Sequence, residues 1–164
     1  SSDVCSSDLL KLYSITGTIR QIRPSENSCC EQQISLVSTS GAATIIVKPS
    51  TLVAGNIRLV PGMTVTVFYD ADAPTPLIFP PRYDAVIIAR KNAREEIYAG
   101  YFDSQLISEN NDLQLNINRT TNIVTANGQR FTCSPGNHLL IVFYQTTTRS
   151  IPPQTTPRKI IVVC

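Results

Sequence analysis

The chain has 164 residues, of which 42% are apolar and only 16% charged, so it lacks the polar, charge-rich balance of a disordered chain and suits one average domain or two very small ones. Its formal charge of +2 is too small to imply a polyanionic partner by itself. No apolar run approaches the roughly 18 residues of a membrane-spanning helix, which excludes a membrane partner of that kind and points to a soluble protein.

Residues 1–10 are set aside as a non-native or disordered tail. Ser1 to Leu9 resemble translated sequencing-adapter sequence and carry no hydrophobic period. From there the chain reads as short β-branched runs bounded by turn residues, the pattern of strands. In a first half, 11–91, strands are predicted near 13–22, 33–38, 43–48, 57–60, 63–70 and 84–90. In a second half, 92–164, they are predicted near 96–102, 104–108, 113–118, 129–132, 138–144 and 158–163. Ser40-Gly41, Pro61-Gly62, Asn110-Asn111, Asn127-Gly128 and Pro135-Gly136 mark turns between them. The best helix candidate is Ala89–Glu96, a charged stretch at the junction of the halves.

The halves repeat one another. Leu36, Ser38, Ile45, Val47, Thr51 and Val53 match Leu106, Ser108, Leu115, Ile117, Thr121 and Ile123 without a gap. Pro61-Gly62 leading to Val65–Tyr69 matches Pro135-Gly136 leading to Leu140–Tyr144, and Gly17 matches Gly100. Pro81-Arg82 before Val86–Ile88 likewise matches Pro157-Arg158 before Ile161–Val163. Five or six short strands in about 70 residues are too few for a large sandwich but can close a small Greek-key barrel of the OB type. The expected fold is therefore all-β: two similar OB-like barrels in tandem from an internal duplication, packed together because each alone buries little core.

From Tyr13 onward, Phe68–Pro81 and Thr147–Pro157 carry a resemblance to a family of small, uncharacterised tandem β-barrel proteins from clostridia-like bacteria. That resemblance implies a bacterial source and no activity, cofactor or catalytic residue.

Groups for catalysis are sparse. His138 is the single histidine, at the start of an apolar strand, where it reads as structural; no Gly-x-Ser-x-Gly elbow, P-loop or G-x-G-x-x-G occurs. Asp70 and Asp72, with Asp84 expected close in space, read as strand-end and loop-solubilising residues rather than a cation site. No C-x-x-C pair exists, so Cys29, Cys30, Cys133 and Cys164 read as buried or half-buried small hydrophobes of a reducing, cytoplasmic compartment, with a Cys29–Cys133 bridge left open. No cofactor, metal or enzymatic activity is expected.

The most unusual features are two proline-rich loops, Ala71–Pro81 and Gln145–Pro157. Proline fixes φ and removes a donor, so both loops are predicted to be extended and stiff. The first expectation is that Phe79 and Ile151 plug the ends of their own barrels, since apolar residues on a loop must be buried somewhere. On the second reading the loops present apolar groups to a protein partner or a second copy, with little entropy left to lose. The second reading gives the leading functional expectation, a non-enzymatic structural or protein-interaction module. The alternative is single-stranded nucleic-acid binding, which needs basic and aromatic side chains on one face. Tyr69, Phe79, Arg82, Tyr83, Tyr144, Arg149, Ile151 and Arg158 are the candidate binding residues, with Arg82, Tyr83 and Arg158 expected on one continuous face.

Overall fold

The structure, a computed structural model, describes residues 11–26, 28–74 and 76–164. Residues 1–10, set aside above, lie outside them. The chain is all-β and divides into two compact units, 11–91 and 92–164.

The first unit contains β1 (Leu12–Ser25), β2 (Ser28–Ser38), β3 (Gly41–Val47), β4 (Leu52–Val53), β5 (Thr64–Asp70) and β6 (Arg82–Arg90). β1 pairs antiparallel with β2 and with β5, β2 with β3, and β5 with β6. A parallel pairing of β3 with β6 closes the ring, and the two-residue β4 lies parallel to the far end of β6. Alternation along the strands sends Ile34 and Leu36, Ala43 and Ile45, and Val65 and Val67 inward, where they meet Ile19 and Ile88. β5 is also buried on its other face, at Thr66 and Phe68, which explains its nearly continuous apolar sequence.

The second unit contains β7 (Glu96–Phe102), β8 (Gln114–Leu115), β9 (Asn122–Thr125), β10 (His138–Tyr144), β11 (Gln154–Thr155) and β12 (Lys159–Val163). Its main sheet runs β7-β10-β12-β9, and β8 pairs parallel with β11. Single bridges from Phe102 to Ser108 and from Ile107 to Gln114 stand where the first unit has full strand pairs. Phe102, Leu113, Leu115, Leu140, Val142, Ile160 and Val162 form its core.

The two units share hydrogen bonds at matching positions. Gly17 faces Val65 as Gly100 faces Leu140, and Val67 faces Ile88 as Val142 faces Ile160. The amide of Thr44 donates to Pro81 O (2.8 Å), and that of Gln114 donates to Pro153 O (2.8 Å). Thr51 Oγ1 accepts from Lys48 N and donates to Ala85 O; Thr121 Oγ1 accepts from Asn118 N and donates to Pro157 O. Each hydroxyl thus ties a turn to the last strand of its unit. Replacing Thr51 or Thr121 by valine keeps the shape and strands both partners, and is expected to cost about 1–2 kcal/mol by urea titration; a loss under a few tenths would show the turns hold without the hydroxyl.

These registers correct one sequence match. Pro81 corresponds to Pro153 and Ile88 to Ile160, rather than to Pro157 and Val163. Pro157, with no N–H to give, breaks the last strand of the second unit into β11 and β12, so a Pro-Arg pair falls mid-strand and imitates a strand start.

Several predicted elements also change. No strand forms at 57–60: the chain makes a 3₁₀ turn at Ala54–Asn56, where Gly55 (φ +76°) and Asn56 (φ +51°) are left-handed. The strand expected at 129–132 shrinks to a bridge between Arg130 and Val124, and β9 forms ahead of the Asn127-Gly128 turn instead. The runs at 104–108 and 113–118 retain only the bridges and β8. Ala89–Glu96 is not a helix, because Ala89-Arg90 end β6, Glu96 opens β7 and a turn at Asn92–Glu95 joins them. Among the described residues, no helix is long and apolar enough to cross a membrane.

Candidate functional site

In the first unit three tyrosines gather at the foot of the proline-rich loop. Tyr13 on β1 and Tyr69 on β5 are direct cross-strand neighbours. A bulge between Phe68 and Tyr69 in the β5–β6 pairing lets Tyr83 of β6 stack on Tyr69, with centroids 4.3 Å apart and planes 23° apart. Tyr13 meets Tyr69 edge-on at 6.1 Å and is 60% exposed. Burial, and then the neighbouring Tyr83 phenol, push the Tyr69 pKa up, so its hydroxyl stays protonated and able to donate.

Beside this stack a cavity of about 210 Å³ is lined by Tyr69, Asp70, Ala73, Pro74, Pro76, Arg82, Tyr83 and Asp84. Asp70 Oδ1 accepts from the amide of Asp72 (2.9 Å), which makes it a turn residue, and Asp84 is paired with Lys48 Nζ (3.1 Å). Arg82 is exposed. The cavity thus offers aromatic and proline faces with mixed charge. Among the described residues no group of three His, Cys, Asp or Glu side chains could hold a metal.

The loop above the cavity does not fold back over its barrel. Leu77 and Phe79 are 104% and 89% exposed, and Ile78 is 53% exposed. In the second unit Ile151 is 98% exposed. The expectation that Phe79 and Ile151 plug the barrel ends is therefore corrected. In both loops the stretch before the corresponding strand start is an X-Pro-Pro, Phe79-Pro80-Pro81 and Ile151-Pro152-Pro153, with the first X-Pro bond cis. The amide of the following β-strand partner is bonded to the second proline's carbonyl in each case, which fixes the loop's exit and leaves the preceding apolar residue pointing outward.

The second unit has a pocket of about 230 Å³ at the corresponding place, where Gln154, Thr155 and Thr156 stand for Arg82, Tyr83 and Asp84. Its hydroxyls and amides are largely engaged with one another: Gln154 N donates to Thr148 Oγ1 and Asn116 Nδ2 to Gln154 Oε1, each at 3.0 Å. Tyr144 is half-buried against the second core, and Arg149 is exposed on the loop.

Arg158 departs from its expected role. Its guanidinium makes a two-pronged bond to the carboxylate of buried Glu95 and lies over the Phe143 ring, 5.7 Å from the centroid. The Glu95 hydrogen bonds push its pKa up. It is a structural cation rather than a free one. His138 Nδ1 is 2.8 Å from Gly136 O and its ring meets Phe131 edge-on, a strand-start role. The four described cysteines are free and exposed, which corrects the expectation of buried or half-buried thiols: Cys29 and Cys30 lie on the outward start of β2, and Cys133 is in a loop. Sequence reasoning missed Tyr13; the signal available was its place on the strand that neighbours the Phe68-Tyr69 strand.

Comparison with protein-family models and with curated proteins finds no match.

Proposed function

We propose that the protein is a non-enzymatic interaction module in which two proline-braced loops present apolar side chains to a protein partner or a second copy of the chain. The observation that carries this reading is the nearly complete exposure of Leu77, Phe79 and Ile151 on loops that leave their units at corresponding positions. Large apolar groups held outward on stiff chain lose little entropy on docking, and their burial then supplies the affinity. An OB-like barrel duplicated in tandem is the architecture we assign to this module. The ring order β1-β2-β3-β6-β5, with β3 parallel to β6, supports it for the first unit, and the matched hydrogen bonds support it for the second. Free, exposed thiols fit a cytoplasmic setting.

The triple variant L77S/F79S/I151S tests the reading. If the three side chains were barrel plugs, their loss would cost about 1.5–3 kcal/mol each and lower Tm by more than 10 °C. Side chains kept for a partner leave the melting temperature within about 3 °C of the parent, since no buried area is lost on mutation. A large drop in Tm would contradict the proposal.

A second reading, single-stranded nucleic-acid binding, draws on the Tyr13–Tyr69–Tyr83 cluster beside exposed Arg82 on an OB-like barrel. It requires oligonucleotide affinity that Arg82→Glu or Tyr13→Ala weakens.

A further inference from the structure

The second unit carries a groove that neither loop explains. It is an open concavity of about 860 Å³ along β9, and Asn118, Arg119, Thr120, Asn122, Arg130 and Phe131 are among the residues that line it. Its walls follow from local chain geometry. The Asn118–Thr121 turn, closed by Thr121 N to Asn118 O (3.1 Å), holds Arg119 just ahead of β9. The tight Asn127-Gly128 turn, with Gly128 at φ +85°, brings Arg130 back opposite Val124 near the other end of β9. Both arginines therefore line one concavity, Arg119 from the turn ahead of β9 and Arg130 from the chain opposite Val124.

Among the described residues no carboxylate lines this groove and neither arginine makes a salt bridge. That isolation extends through the sequence. From Leu113 to Cys164 the chain holds Arg119, Arg130, Arg149, Arg158 and Lys159 and not one Asp or Glu, so the net charge of +2 conceals a C-terminal stretch of a single sign. Two fixed-charge guanidiniums with no anion beside them among the described residues leave their charge-assisted hydrogen bonds for a ligand. Between them Asn122 adds a neutral amide donor of the kind that suits phosphate and sugar oxygens, while the hydroxyls of Thr120 and Thr121 are already given to Asn118 Oδ1 and Pro157 O. Phe131 packs against the core and His138 rather than standing free as a stacking platform.

We infer that this groove binds the backbone of a single-stranded nucleic acid, through the phosphodiester chain and without reading the bases. An open concavity of about 860 Å³ with two cations in its lining matches a succession of phosphates better than one compact anion, and the half-buried Phe131 offers no free face for base stacking. The inference uses none of the loop residues and none of the first-unit tyrosines, so it stands or falls apart from the readings above.

The test is a ¹H–¹⁵N NMR titration of the full chain with a twelve-residue oligothymidylate and with its abasic counterpart, repeated across a salt series. The amides of Thr120, Asn122, Gly128 and Phe131 are expected to shift, and the abasic chain to bind within about threefold of the oligothymidylate, because the phosphates dominate. Two phosphate contacts predict a slope of log K against log salt of about −1.4. In R119Q/R130Q, exposed substitutions whose spectra also report the fold, affinity is expected to fall about tenfold at low salt and the slope to flatten. Absence of shifts in the groove, shifts confined to the region of Tyr69, Arg82 and Tyr83, an unchanged slope in R119Q/R130Q, or equal binding of a sulfated heparin octasaccharide would each overturn the inference. Shifts around Tyr69 and Arg82 alone would leave the second reading of function standing while removing this one.

Discussion

Replacing Gly17 by alanine is expected to destabilise the first unit by about 3 kcal/mol, while the same change at the corresponding Gly100 costs under about 1 kcal/mol. The difference comes from what each new methyl group would meet. At Gly17 a Cβ would stand 2.5 Å from Val37 O and 2.9 Å from Val37 C, and both are backbone atoms of the neighbouring strand. Neither can move unless β2 moves away from β1, and Gly17 is held in register on both sides, against Ser38 of β2 and Val65 of β5. At Gly100 the nearest atom is Cε1 of Tyr98 at 3.1 Å, part of a ring that can tilt by a few tenths of an ångström. Thermal unfolding of both variants checks this, since each kcal/mol shifts the Tm of a unit this size by about 4–8 °C. Equal shifts for the two would show that the close approach to Val37 is not what makes Gly17 necessary.

Removing the Arg158 guanidinium is expected to cost a similar amount, about 3 kcal/mol, because it uncovers a buried carboxylate. Glu95 is only 5% exposed and receives two bonds from Arg158. Arg158→Ala withdraws the cation that faces it, whereas Arg158→Lys keeps a charge but loses the planar fork, and falls between the two. Glu95→Gln in the Arg158→Ala background is expected to recover much of the loss, since the buried charge is then gone. Urea denaturation of the three variants reads these values. A loss under about 0.5 kcal/mol for Arg158→Ala would place the pair with ordinary surface ion pairs.

The parts of the fold that show in the sequence are those with a strong local period. His138–Tyr144 appears as an unbroken apolar run between turn signals, and the strand has those bounds. Thr51 and Thr121 pair by their spacing in the repeat, Gly17 and Gly100 by their place early in each half, and both pairs hold matching positions in their units. Where pairing partners lie far apart in sequence, the pattern misleads. Ile57 and Leu59 alternate with Asn56 and Arg58 like a strand, yet the left-handed Gly55 and Asn56 turn the chain away from any partner. The two-residue strands β4, β8 and β11 have no period at all and form only because a parallel partner stands beside them.

The candidate site is legible in the same uneven way. Phe79 and Ile151 stand out as apolar residues among prolines, but the rule that such residues are buried points in the wrong direction. Arg158 looks like a binding cation because its partner, Glu95, is 63 residues away and nothing local reveals the pair. The groove between Arg119 and Arg130 escapes a reading based on net charge, since the carboxylates that balance the total all lie at or before Asp112. Composition averages over a chain, whereas electrostatic recognition depends on which charges share a surface.

Site-specific photo-crosslinking in the native host tests the central claim most directly, with p-benzoylphenylalanine placed in turn at Phe79, at Ile151 and at exposed Arg58 as a control. The account predicts a discrete adduct of one partner mass, or of a second copy, at 79 and at 151 and none at 58. Adducts absent from both loops, or the same at all three positions, would contradict it.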